Sequence, residues 1–257
     1  MIRSLLTTFI CLPTFLLIPA TAQDTNLTLE QIIAKHTEAM GGVDKLKAIQ
    51  TVTITGTASL MGGQMGAPIT IKMKRPAFLR MDMHIQERTF VQSFDGATGW
   101  TLNSFSGSST PQPMSAEDAK TARDNSDFVE GSLIGYESKG TAVELMGQEA
   151  VESTPAYKLK VTRKGGTVEN IYLDAATFLP IKTAGKRKQL GQEVEFESRP
   201  SDYRAVHGVM MPFTVRQRLN GRDAMEVSIL NVDVNTPIDD SVFRMPESPR
   251  EQQRQPR

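Results

Sequence analysis

The chain has 257 residues, with 29 basic and 29 acidic side chains and a formal net charge of zero. That balance carries neither a nucleic-acid footprint nor a strongly charged membrane patch. Aromatic residues are sparse at 6%, methionines number 13, and the one cysteine is Cys11.

Residues 1–22 join a single early charge, Arg3, to an apolar run and an A-x-A site at Ala20-Thr21-Ala22. This pattern predicts a cleaved secretory signal peptide. Pro13 and Pro19 interrupt the run, which disfavours a spanning helix of ~20 apolar residues. Lipid attachment at Cys11 is disfavoured too, because bulky Ile10 stands where a small residue is needed. Taking these 22 residues from 257 leaves 235, with 28 basic side chains against 29 acidic ones and no cysteine. A mature domain over 23–246 must therefore be held by its own core. The tail 247–257, polar and proline-punctuated, is expected to be disordered.

The first element is a helix. Thr28 and Gln31 stand at capping-box spacing, Leu29, Ile32, Ile33, His36 and Met40 form a 3.6-residue stripe, and Gly41-Gly42 stops it. His36 reads as a satisfied histidine on the apolar stripe. VDKLKAIQ adds a short helical turn with Val43, Leu46 and Ile49 on one side.

From Thr51 the period becomes two. TVTITGTASL and PITIKMKRP flank a hairpin tip at MGGQMG, read as a loose turn or a mobile apolar rim. AFLRMDMHI puts Leu79, Met81, Met83 and Ile85 on one face and Arg80, Asp82 and His84 on the other. RTFVQSF follows, then Asp95-Gly96 as a turn, then TGWTL with Trp100 directed to the apolar side. SAEDAKTARDNSDFVEGSLIG interrupts the strands with one or two weak helices capped at Ser115. Alternation then resumes from Thr141, and AYKLKVT separates Tyr157, Leu159 and Val161 from Lys158, Lys160 and Thr162.

The predicted fold is mainly β with some helix. It is a curled antiparallel sheet of about ten or eleven strands forming an incomplete half-barrel, its apolar concave face partly covered by the N-terminal helix and the helical insertion. A sheet so wide must curl, and few helical turns exist to fill it. An under-filled apolar hollow is a container. Leu79, Met81, Met83 and Ile85, with Phe90 and Trp100 on neighbouring strands, are the candidate cavity lining. The alternation leaves open whether that row meets a cavity or packs beneath the helices.

Signals for catalysis are missing: there is no G-x-S-x-G, H-E-x-x-H or phosphate loop, and no thiol in the mature chain. His36, His84 and His207 are scattered, Asp239-Asp240 is turn-like, and Asp95 caps its own turn. Met81-Asp82-Met83-His84 suggests a thioether copper site, yet strand geometry turns His84 away from both methionines. No catalytic residue, metal or cofactor is expected. Flexible methionine suits ligands of irregular shape.

KMKRPAFLRMDM, SFDGATGW and PIDDSVFRMPESP together resemble the LolA/LolB-like lipoprotein-localisation carriers of the bacterial envelope. AKHTEAMGGVDKLKAIQTVTITG looks like the divergent branch called outer-membrane lipoprotein-sorting protein. The resemblance implies a half-barrel over an apolar cavity, a periplasmic location, and carriage of a lipoprotein acyl chain or another lipid towards the outer membrane. It also implies a role for Arg75 in ligand retention or handover, beside which a strand-end arginine paired with a carboxylate stands as the structural alternative. Expected partners are the acyl chain and envelope membrane proteins, not nucleic acid, and the expected state is a monomer. An envelope-stress sensor on the same scaffold is the first rival function, and an uncharacterised hydrolase the second.

Overall fold

The computed structural model describes residues 27–60, 62–107, 110–125, 127–189 and 192–246. The leader read at 1–22 and the tail read at 247–257 lie outside these residues. Thr28 caps α1 (Leu29–Ala39) through a complete capping box: its hydroxyl accepts from Gln31 N, and Gln31 Oε1 accepts from Thr28 N at 2.9 Å. Ile32 and His36 are buried along one stripe. The helix ends at Gly41, whose φ of +115° a side chain would strain. A Cβ there would also lie 2.2 Å from Gly208 O. This close approach lets Met40 O accept from Met210 N at 3.1 Å, which ties the helix end to the sheet. α2 (Val43–Ala48) then buries Leu46, and Ile49 just beyond it is buried too.

Alternation produces two antiparallel meanders. The first comprises β1 (Thr51–Leu60), β2 (Met65–Lys74), β3 (Phe78–Ile85), β4 (Arg88–Asp95), β5 (Gly99–Asn103) and β6 (Gln112–Pro113). The second comprises β7 (Ala142–Val151), β8 (Thr154–Thr162), β9 (Val168–Asp174), β10 (Pro180–Gln189), β11 (Gln192–Val206), β12 (Val209–Leu219) and β13 (Arg222–Val234). Pairing of β1 with β13 joins them into one 13-stranded sheet whose open order runs from β6 to β7. The thirteen strands exceed the expected ten or eleven, and two-residue β6 is one that carries no alternation signal. At the β1–β13 seam, a Cβ on Gly56 would lie 2.3 Å from Ser228 O, so the two meanders meet backbone to backbone.

α3 (Ala116–Asn125) touches β4 and β5 on one wing and β10 on the other, strands separated in the order by β3, β2, β1, β13, β12 and β11. The sheet therefore bends so that its two wings approach each other across α3, the geometry expected of a wide twisted sheet. Within the predicted helical insertion only α3 is helical. Residues 127–141 form successive turns, with Gly131, Gly135 and Gly140 all at positive φ, which no α-helix tolerates.

Two groups cover parts of the inner face. Ile32 of α1 and Leu133 pack on Tyr157, Leu159, Val161, Ile171 and Leu173. Leu46, Ile49, Phe128 and Ile134 pack on Val52, Val209 and Met211. The outer face is partly clad as well, by the turn Asp240–Phe243, whose Phe243 is fully buried.

Candidate functional site

Register decides which residues look inward. Val52 lies in the α2-covered core, and its neighbours across the sheet are Val234, Met73, Leu79, Phe94 and Gly99 in turn. The next inward rows are Ile54–Ile71–Met81–Gln92–Thr101 and Gly56–Ile69–Met83–Phe90–Asn103. Ala58, Ile69 and Val227 form the buried floor of a third cluster, with Ile71, Met81, Met83, Met225 and Ile229 half-buried around it. Every one of these residues belongs to β1, β2, β3 or β13. Among the described residues no apolar helix or loop side chain joins the cluster. Met81 and Met83 are themselves only half-buried on this face.

By this register Leu79, Met81, Met83 and Phe90 share the inner face. Ile85 is 7% exposed at the end of β3, and by alternation it continues the same row. Trp100 does not join them. Phe94 pairs with Gly99 and Ser93 with Trp100, so the inward place on β5 next to Phe94 goes to glycine, over which Met114 lies. The indole occupies the outer face, where its Nε1 donates to Phe243 O at 2.8 Å and the Arg80 guanidinium sits 5.5 Å from its ring. Ser93 Oγ donates to the same carbonyl at 2.8 Å. The expectation that Trp100 faces the apolar hollow is corrected, because the C-terminal turn supplies its hydrogen-bond acceptor on the other side.

Arg75 sits just past β2 and makes a clasp. Nη1 and Nη2 donate to the two Glu130 carboxylate oxygens at 2.8 and 2.9 Å, Nε donates to Ile49 O at 2.8 Å, and Nη2 to Leu46 O at 3.0 Å. Its guanidinium lies 4.4 Å from the Phe128 ring centroid. Burial pushes the Glu130 carboxyl up, but the Arg75 hydrogen bonds and charge outweigh it and hold the pKa below the usual value. The residue thereby locks the end of α2 to the 127–141 segment. Sequence reasoning missed Glu130 as the partner, since 55 residues separate the two.

The remaining titratable candidates are structural. His36 Nδ1 donates to Phe178 O at 2.9 Å, and burial lowers its pKa against the raising effect of that bond. His84 is exposed on the face opposite Met81 and Met83 and meets Thr89 Oγ1 at 3.2 Å. His207 is exposed in the tight turn between β11 and β12, at φ +49°. Asp95 Oδ1 accepts from Ala97 N and Thr98 N at 3.0 and 2.7 Å, which is an Asx turn. Asp239 caps the Asp240–Phe243 turn, and Asp240 pairs with Lys74 at 2.6 Å. A groove of about 300 Å³ lies on the outer face of β9–β12, where Asn170, Ala184, Glu197 and Arg218 form one cross-strand row. Its charges are largely answered from within: Glu197 accepts from Arg199 at 2.7 Å and lies 3.2 Å from Lys182, while Lys186 pairs with Glu193 at 3.0 Å.

A bent, open antiparallel sheet with short helices over an apolar inner face is a LolA-like half-barrel. Solved structures share it. A domain described as an outer membrane lipoprotein-sorting protein, from Vibrio parahaemolyticus, matches with a TM-score of 0.56 at 10% identity, over 82% of this chain and 95% of its own. A DUF1329 family protein from Desulfovibrio piger matches at 0.54 and 12% identity, over 84% and 96%. A LolA superfamily protein from Nitrosomonas europaea also matches at 0.54 and 12%, over 85% and 98%. At such identities the likeness is one of fold. No family model and no curated protein matches the chain.

Proposed function

We propose that this protein is a periplasmic carrier or binding protein for lipoproteins or other acyl-chain lipids, without catalytic activity of its own. The observation that carries this reading is the apolar patch around Met81 and Met83, whose apolar packing partners among the described residues come from the sheet itself. Half-buried, flexible thioethers can follow an irregular chain, whereas a pre-filled aromatic core could not. Burying an acyl chain gains ~0.8 kcal/mol per CH₂, so a sixteen-carbon chain needs an enclosure worth roughly 12 kcal/mol to cross water. The lipoprotein-sorting and LolA names of the structural neighbours point the same way. Among the described residues no helix is long and apolar enough to cross a membrane.

In this reading Leu79, Met81, Met83, Ile85 and Phe90 line the ligand path. Arg75 governs access by holding the 127–141 segment over one end of the hollow, and retention or handover of cargo then involves release of the Arg75–Glu130 pair. The protein acts as a monomer that meets envelope partners.

Native mass spectrometry of the protein purified from an envelope fraction tests this. Acyl-chain adducts at one per chain are expected. A protein partner in fixed stoichiometry without lipid would support the sensor function instead. An empty protein that hydrolyses esters would support the hydrolase.

A further inference from the structure

The register that turns Met83 inward also turns one arginine inward. Phe196 pairs with Gly185, and Gly185 pairs with Glu169, which stands opposite Val161 beneath α1, so this row looks into the hollow. Arg187 lies two residues beyond Gly185 on β10 and pairs with Val194, hence on the same inner face at its rim. It is half-buried, with its guanidinium 5.2 Å from the Phe196 ring centroid.

The setting of Arg187 differs from that of the other half-buried arginines among the described residues. Arg75 holds Glu130, Arg80 holds Asp82, Arg163 holds Asp127 and Glu169, Arg199 holds Glu197 and Glu152, and Arg218 lies 3.1 Å from Asp223. Arg187 has an aromatic ring and no carboxylate. The acid nearest to it in register, Glu169, faces Gly185 but is bound by Arg163 Nη2 at 2.9 Å. The adjacent acid on the neighbouring strand, Glu193, pairs with outward-facing Lys186. Burial alone lowers the Arg187 pKa, with no neighbouring charge opposing it. A desolvated guanidinium left without a counter-charge is costly, and an arriving anion relieves that cost.

Between this cation and the apolar patch the inner face grades from polar to oily. Thr183, Ser198 and Gln217 form one cross-strand row that ends on Met225, a member of the patch. β10 and β13 are three strand spacings apart in the order, about 14 Å at ~4.8 Å each, a span that a long acyl group covers.

We propose that Arg187 is the headgroup anchor of the hollow, so that the preferred ligand is an amphiphile with an anionic oxygen headgroup, a carboxylate or a phosphate, whose chain lies over Met225, Met83 and Met81. This rests on the carrier reading above. The guanidinium offers bidentate hydrogen bonds to such a group while the Phe196 ring supports its face.

The test is displacement of a fluorescent apolar probe from the full-length mature protein by dodecyl phosphate, laurate, dodecanol and inorganic phosphate. A charge-assisted hydrogen bond at a half-exposed site predicts that the two anionic amphiphiles bind about tenfold tighter than dodecanol. Arg187→Gln should erase that preference while leaving dodecanol affinity unchanged and the melting temperature no lower, and Arg187→Lys should retain part of it. Equal binding of dodecanol and dodecyl phosphate by the wild type overturns the anchor and leaves the carrier reading standing. So does a preference that survives in Arg187→Gln. Displacement by inorganic phosphate at the same concentration as dodecyl phosphate overturns the amphiphile in favour of a free-anion site. Failure of every chain compound to displace the probe overturns both readings.

Discussion

Placing a charge at Met83 tests whether the inner patch is a binding surface or merely core. Met83 is half-buried between Ile69 on β2 and Phe90 on β4. Its burial is partial and an arginine stem can lie along the sheet with its head in the hollow. Met83→Arg should therefore lower stability by only about 1–2 kcal/mol. An acyl chain loses more. A guanidinium over the patch denies it roughly four methylenes, ~3 kcal/mol at ~0.8 kcal/mol each, which is a loss of about 150-fold in affinity. Ile69→Arg is the contrast: Ile69 is 2% exposed and sits in the floor of the same cluster, so a charge there should prevent folding. The assay is fluorescent fatty-acid titration beside a circular-dichroism melt for each variant. Unfolding of Met83→Arg along with Ile69→Arg would mean that the hollow is packed core. Wild-type uptake by a folded Met83→Arg would place the ligand elsewhere.

Trp100→Phe removes the donor to Phe243 O and should lower the melting temperature by about 3 °C, from ~1 kcal/mol of lost hydrogen bonding, with lipid uptake unchanged; reduced uptake at unchanged stability would contradict the outer-face placement. Gly56→Ala should cost about 3 kcal/mol, seen as a melting temperature lower by roughly 9 °C, because its methyl group collides with the Ser228 carbonyl at the seam. His36 has a pKa lower in the folded state than unfolded, so the unfolded chain binds the proton more readily. Its contribution to stability is full above the ordinary histidine pKa of ~6.5 and is lost as pH falls below that towards the depressed folded value. The melting temperature should therefore fall between pH 7.5 and 5.5, and His36→Gln, though less stable, should flatten that slope; an unchanged slope would assign the titration to other groups. Glu130→Gln should leave Arg75 half-buried without its counter-charge, reduce stability by about 2–3 kcal/mol and speed lipid exchange in a stopped-flow measurement; unchanged exchange would remove Arg75 from any role in access.

Local signals accounted for much of this molecule. The capping box at Thr28 and Gln31, the Gly41 stop, the Asx turn at Asp95 and the two-residue period that sets Leu79, Met81 and Met83 on one side all act through neighbours a few residues apart. Such periods state which residues share a face without stating what that face meets. Trp100 shows the limit. Its alternation was legible, but the Phe94–Gly99 pairing and an acceptor 143 residues away at Phe243 decided the side on which the indole lies. Arg75 likewise carries no mark of Glu130 in the residues around it, and Arg187 looks like any lysine-rich hairpin cation until Val194 and Phe196 of β11 lie beside it.

What the chain determines alone is most of its strands, the alternation along each and the ends of the first helix, because hydrogen bonding and side-chain sterics at short separation suffice for these. Tertiary pairing decided the rest. Joining β1 to β13 across Gly56 makes one sheet of two meanders, its curvature creates the hollow, and only then does an inward methionine become a surface for a ligand and an unpaired arginine an anchor. Those properties belong to contacts between residues far apart in the chain, whose partners no local period can specify.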